Sequence, residues 1–258
     1  MPSLLEVHRK SLKPRDLFMN TWVYRPLATP LVVLLAPTRV TPNQVTLASL
    51  VVAWVAAALL VFAPGYLGLL LAVGTYCFSY VLDCVDGMLA RYRGVASPQG
   101  HLFDFLMDEI KSFFILAGAC VRLYREAAER GEAAPERYLL LGIGGLVVLA
   151  TGIALTTFQR RPEIAGPSPV PASSSAAPPP SKRSFVGRAL GAVESVAKLA
   201  IHYPSYIPFV ALVGRLELYV LPYTVVLSLY ALKMLAWAAL RFGRSVPLDS
   251  ASGSARAT

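Results

Sequence analysis

The chain has 258 residues, 55% of them hydrophobic and only 15% charged, with a net charge of +9. Soluble domains carry about 25% charged residues, so the composition excludes an ordinary water-soluble domain and points to a polytopic membrane protein. The positive charge suits anionic headgroups or phosphorylated ligands; nucleic acid is excluded as a partner, because the basic residues flank apolar stretches instead of forming one stripe.

Residues 1–40 read as a basic cytoplasmic arm followed by a juxtamembrane surface helix. The opening stretch MPSLLEVHRKSLKPRD is polar and basic and lacks the apolar run of a cleavable leader. Asp16–Leu35 mixes apolar residues with a basic one, and Trp22, Tyr24 and Arg25 suit a headgroup layer, so a helix lying on the membrane is expected there.

A spanning helix needs about 20 mostly apolar residues. Six stretches qualify, at about 43–63, 66–90, 101–123, 138–158, 200–219 and 221–242. The fifth is the weakest, being interrupted by Pro204, Pro208, Arg215 and Glu217. The expected fold is therefore an all-α integral membrane protein, a bundle of six transmembrane helices with an N-terminal amphipathic surface helix. Its segments are 41–158 with the first four spans, a Pro/Ser/Ala-rich linker at 159–198, the last two spans at 199–242 and a tail at 243–258. The linker composition, GPSPVPASSSAAPPPSK, is that of a disordered segment. Cys77, Cys84 and Cys120 fall in apolar spans without zinc or disulfide spacing and read as packing residues.

Basic residues orient the bundle. The arm carries Arg9, Lys10, Lys13, Arg15, Arg25 and Arg39, and the stretch after the fourth span carries Arg160, Arg161, Lys182, Arg183, Arg188 and Lys198. Six spans put both on one side with the C-terminal tail, and the positive-inside rule makes that side cytoplasmic. The 124–137 loop then faces outward, where Arg125, Arg130 and Arg137 run against the rule.

Between Asp83 and Asp108 the sequence reads DCVDGMLARYRGVASPQGHLFDFLMD. A carboxylate near the hydrocarbon core costs roughly 2.5–3.5 kcal/mol on the lenient insertion scale, so four of them mark a functional site. Asp83, Asp86, Gly87, Ala90 and Arg91 recur at helical spacing on one face of the second span, and Asp104 and Asp108 share a face of the third. Two adjacent antiparallel helices can aim all four carboxylates at one point. Oxygen-only ligands suit hard cations such as Mg²⁺ or Mn²⁺, and two such ions balance four carboxylates. Gly87 and Ala90 leave room for a base or sugar, Arg91 offers a planar fork to phosphate, and Ser97, Pro98 and Gly100 form the turn. From the residues alone, a cation or proton pathway remains a rival use of the same carboxylates.

The eight positions Asp83, Asp86, Gly87, Ala90, Arg91, Gly100, Asp104 and Asp108 reproduce the D-x2-D-G-x2-A-R-x8-G-x3-D-x3-D signature of the CDP-alcohol phosphotransferase family, which the chain resembles over about 15–242. The TPNQVT stretch, Thr41–Thr46, resembles the family's motif at the start of the first span. The resemblance implies transfer of a phosphatidyl or related phosphoalcohol unit from a CDP-linked donor to an acceptor hydroxyl, with release of CMP. It implies two divalent cations, with Asp83 and Asp104 touching both, Asp86 holding one, and Asp108 holding the other and acting as general base. Asn43, Gln44, Val45 and Thr46, with Gly87, Ala90, Arg91, Ser97 and Gly100, are the implied contacts of the CDP donor. It also implies a homodimer; the small residues Gly142, Gly144 and Gly145 of the fourth span suit packing either against a neighbour or within the bundle.

The preferred donor is CDP-diacylglycerol with a small polar alcohol as acceptor; CDP-choline or CDP-ethanolamine with diacylglycerol as acceptor is the alternative within the family, and a cation transporter the alternative outside it. Should the acceptor carry a phosphate, Arg160, Arg161, Arg188 and Lys198 are candidates to hold it. The compact length suits a protein of the bacterial inner membrane, with its active site on the cytoplasmic side. His101 lies beside the site, Glu109 and Lys111 follow Asp108, His202 is ambiguous, and Arg215 and Glu217 fall near the outer surface.

Overall fold

A computed structural model describes residues 3–12, 16, 19–161, 164 and 206–242. Among these residues there is no strand. Helix α1 is Leu4–Ser11; a π-helical turn, Asn20–Tyr24, runs into α2, Arg25–Leu35; α3 is Pro42–Phe62, α4 Gly65–Tyr92, α5 Pro98–Glu129, α6 Arg137–Gln159, α7 Ile207–Val213 and α8 Glu217–Phe242. Helices α3, α4, α6 and α8 are long and apolar enough to cross a membrane. The described residues thus form an all-helical, membrane-spanning protein. Helix α5 has the length, at 32 residues, but Asp104, Asp108, Glu109, Lys111, Arg122, Arg125 and Glu126 interrupt its apolar run.

Helix starts follow local chemistry. Thr41 caps α3, its hydroxyl accepting from the Gln44 amide while the Gln44 side chain accepts from the Thr41 amide, a reciprocal capping box. Ser97 caps α5 by accepting from the Gly100 amide at 3.0 Å. Between α4 and α5, the Val95 amide reaches back to the Ala90 carbonyl, a closure that needs a left-handed residue; Gly94 supplies it at φ +69°.

The main core joins α3, α4 and α5 through small and medium side chains: Ala53, Ala56, Ala57 and Leu60 against Leu69, Ala72, Val73 and Tyr76, and Ile115, Leu116 and Ala119. Small residues let helices approach where apolar solvent offers no hydrophobic drive. A Cβ on Gly118 would stand 3.0 Å from the Ala57 carbonyl oxygen. Gly142 and Gly145 press on Cys120 and Leu116 of α5 in the same way, while Gly144 faces open space. Of the two uses that the sequence left open for these glycines, Gly142 and Gly145 take packing within the bundle. A second core packs Val7, Tyr24, Ala28 and Val32 onto Val81, Val85, Met88 and Leu89 of α4.

Several sequence expectations change. The fifth stretch, 200–219, is described only from 206 onward. There it is the seven-residue α7, which ends at Gly214 with φ +71°, and α8 begins at Glu217 instead of 221. Pro204, His202, Lys13, Arg15, Lys182, Arg183, Arg188 and Lys198 lie outside the described residues. In the juxtamembrane segment Trp22 is exposed, but Tyr24 and Arg25 are buried at 4% rather than turned to a headgroup layer. Arg25 is drawn inward by an ion pair with Asp16, nine positions before it. The basic residues that strained the positive-inside rule have local partners: Arg125 donates to the Val61 carbonyl, and Arg130 and Arg137 both pair with Glu132. The neighbouring Arg122 donates to the carbonyls of Ala63 and Gly65. The bonds to Val61 and Ala63 satisfy carbonyls that the end of α3 leaves open.

Candidate active site

A cavity of about 1280 Å³ opens where the N-termini of α3 and α5 meet the C-terminal third of α4. Asp83, Asp86, Asp104 and Asp108 all line it. Helical spacing puts the first pair on α4 and the second on α5, and the short α4–α5 turn brings the pairs together. One carboxylate oxygen each from Asp83, Asp104 and Asp108 lies within 4.8 Å of the others. No histidine or cysteine among the described residues joins that trio. The donor set is all oxygen, which fits a hard divalent cation and not zinc.

Named partners hold Asp86, Asp83 and Asp108. Asp86 is 4% exposed and accepts a hydrogen bond of 2.5 Å from the Thr46 hydroxyl of α3; burial of a charge without such a partner is costly. Asp83 and Asp108 share one cation, the Lys111 ammonium, whose Nζ stands 2.5 Å from Asp83 Oδ1 and 2.9 Å from Asp108 Oδ1. Lys111 is itself 4% exposed. From the sequence it was only a neighbour of Asp108; its spacing of three residues from Asp108, on the same helical face, is the signal that places it here.

The wall beside the carboxylates is Gly87, Ala90 and Arg91. A Cβ on Gly87 would stand 3.2 Å from Arg91 Nη1, so the bare backbone at 87 is what lets the guanidinium fold over α4. Arg91 Nε donates to the Ser11 carbonyl at 2.6 Å, which ties helix α1 to this wall. The rim is formed by Thr41, Asn43, Ser97, Gly100 and the exposed His101. At Gly100 a Cβ would come 3.2 Å from Ser97 Oγ, so the bare position leaves room for the capping hydroxyl, and Asn43 Oδ1 of the neighbouring helix start lies 3.9 Å away.

Of the residues expected at the donor, Asn43, Thr46, Gly87, Ala90, Arg91, Ser97 and Gly100 line the cavity, whereas Gln44 and Val45 do not. Gln44 is occupied in the capping box and Val45 is buried in the second core. Of the residues offered for an acceptor phosphate, Arg160 stacks over the Phe105 ring at 4.4 Å and Arg161 is exposed; neither lines the cavity. Arg188 and Lys198 lie outside the described residues.

Sequence reasoning missed a second set of lining residues: Asn20, Arg25, Tyr76, Ser79, Tyr80 and Arg93. Tyr80 donates to Asn20 Oδ1 at 2.8 Å, and Asn20 donates to Asp16 at 3.1 Å. Arg93 donates to the carbonyls of Leu35, Ala36, Thr38 and Val40, pinning the α2–α3 connection that carries Thr41. These are long-range contacts between residues without motif spacing. Only the helical register of Tyr76, Tyr80, Asp83 and Gly87 hinted that the acidic face continues deeper into the bundle.

Residues 39–176, just over half of the chain, match the CDP-alcohol phosphatidyltransferase family. Cholinephosphotransferase 1 of Danio rerio is 29% identical over 131 residues, covering 45% of this chain and 32% of that protein. The Gallus gallus protein of the same name is 33% identical over 127 residues, 46% of this chain and 37% of its own length. That of Homo sapiens is 33% identical over 93 residues, 33% and 23% of the two. The match therefore spans only 23–37% of the length of these relatives. With the carboxylates of α4 and α5 converging inside the matched region, the chain belongs to the CDP-alcohol phosphatidyltransferase family.

Proposed function

We propose that this protein is an integral-membrane phosphotransferase that moves a phosphatidyl group from CDP-diacylglycerol to the hydroxyl of a polar alcohol and releases CMP. The reading rests on one observation above others: Asp83, Asp104 and Asp108 bring oxygens within 4.8 Å in a cavity that Asn43, Gly87, Arg91 and Ser97 also line. The proposed bundle has six crossings, counting α5 and the segment around α7, with the arm on the membrane surface and the cavity on the cytoplasmic side. A homodimer is proposed by resemblance to the family.

Asp83, Asp86, Asp104 and Asp108 would hold Mg²⁺ or Mn²⁺, which when bound neutralises charge on the transferred phosphoryl oxygens. The protein's own groups do the rest. Arg91, tethered through Nε, turns its terminal nitrogens towards the diphosphate. The bare backbone at Gly87 makes room for that guanidinium, which swings aside for the cytidine ring or its ribose to pack there. The side chain of Asp108 is 49% exposed and takes the proton of the attacking hydroxyl. A new bond forms from the acceptor oxygen to the β-phosphorus, the bond to the CMP oxygen breaks, and CMP carries that electron pair away.

The names of the relatives favour a second reading within the family, in which a CDP-linked small alcohol is the donor and diacylglycerol the acceptor. Purified protein given radiolabelled CDP-diacylglycerol with a panel of alcohols, and in parallel labelled CDP-choline with diacylglycerol, separates the two by the lipid that becomes labelled. CMP release in either arm should vanish with chelator and return with Mg²⁺ or Mn²⁺. Metal flux into liposomes without CMP release would instead identify a transporter. Near-normal turnover by Asp108→Asn with metal bound would remove the base assignment. Acceptor KM with Arg160, Arg161, Arg188 and Lys198 each replaced by alanine tests the acceptor-phosphate role, and no change for any of the four removes it.

A further inference from the structure

The ammonium of Lys111 occupies the middle of the acidic cluster. It bridges α5 to α4 by contacting Asp108 on its own helix and Asp83 on the neighbour. It is buried, and it contacts one oxygen on each of two carboxylates that also belong to the trio able to hold a metal ion. Without it, four carboxylates would face one cavity with no positive charge from α5 to offset them. With it, the formal charge of the four aspartates and Lys111 is −3, so one divalent ion leaves −1 and a second leaves +1.

We infer that Lys111 is a built-in counter-ion of the acidic cluster: it offsets one of the two negative charges of Asp83 and Asp108 when metal is absent, and it competes with a divalent ion for those two carboxylates. The inference rests on the metal-binding reading above. Its physical basis is that like charges repel strongly in a low-dielectric setting, so an ammonium and a divalent ion on the same oxygens oppose each other. A flexible four-carbon stem lets the ammonium withdraw as the ion arrives. Lys111 therefore acts as a positioning residue that sets metal affinity and holds α4 to α5 in the empty site, and takes no part in proton transfer.

The test is Mn²⁺ binding to the full-length protein in detergent, read by electron paramagnetic resonance of free Mn²⁺, for the unaltered chain, Lys111→Met and Lys111→Arg. All three are purified with Mn²⁺ present, which supplies the missing charge and guards against loss of the neutral variant. Lys111→Met should bind Mn²⁺ at least about tenfold more tightly, release it to a chelator correspondingly more slowly, and unfold at lower temperature than the unaltered chain once metal is removed. Lys111→Arg, which keeps the charge, should stay within about threefold of the unaltered affinity. Equal or weaker binding by Lys111→Met overturns the inference while leaving the metal site standing. Absence of Mn²⁺ binding in the unaltered chain overturns both.

Discussion

Thr46 on α3 and Asp86 on α4 are 40 positions apart and share a hydrogen bond of 2.5 Å in the bundle interior. The bond joins the start of one span to the acidic face of the next. Thr46→Val keeps the shape and removes the donor, leaving the buried carboxylate short of a partner. The expected loss is about 1–3 kcal/mol of stability, seen as a lower unfolding temperature in metal-free detergent solution. Added Mg²⁺ should return part of the loss, and Thr46→Ser should behave like the unaltered chain.

Arg93 fixes the approach to α3 by donating to four carbonyls between residues 35 and 40. Lysine has the charge but not the planar fork. Arg93→Lys and Arg93→Met should both loosen the connection that carries Thr41 and Asn43, the latter by about 2 kcal/mol. Donor KM should rise more than kcat falls, since the carboxylates on α4 and α5 are untouched. Steady-state kinetics with the CDP donor varied check this.

Gly87→Ala places a methyl group 3.2 Å from Arg91 Nη1. The guanidinium can shift, but its Nε is held by the Ser11 carbonyl, so it turns away from the cavity instead of sliding along it. Unfolding temperature should change little, while affinity for the CDP donor falls by about tenfold, roughly 1.4 kcal/mol. Donor binding measured calorimetrically without acceptor gives the value directly.

Two glycines give opposite outcomes for one chemical change. Gly118→Ala meets the Ala57 backbone oxygen at 3.0 Å, where no flexible atom can yield, so α3 and α5 must separate; the expected cost is about 1–3 kcal/mol. Gly144→Ala meets nothing within 4 Å and should leave stability equal or slightly raised, as alanine is the better helix former. Thermal unfolding of the two variants side by side checks the contrast.

The acidic cluster was legible because helical spacing is a property of the chain itself. Asp83 and Asp86 had to share a face, as did Asp104 and Asp108, and the turn through Gly94 to Ser97 had to make their helices neighbours. The starts of α3 and α5 were likewise written locally, in Thr41 with Gln44 and in Ser97 with Gly100. The TPNQVT motif concealed a division of labour: Asn43 and Thr46 reach the cavity, while Gln44 closes the cap and Val45 fills the core.

Apolar periodicity and motif spacing by themselves settled that the protein is a membrane-spanning helical bundle and where its carboxylates sit, because both depend only on neighbours three and four residues away. Tertiary structure decided the rest. It buried Arg25 beside Asp16, set Tyr80 on Asn20, drew Arg93 to the α2–α3 carbonyls and put Lys111 between Asp83 and Asp108. Those partners meet only when separate helices pack, and a buried charge takes whichever opposite charge or carbonyl the packing brings within reach.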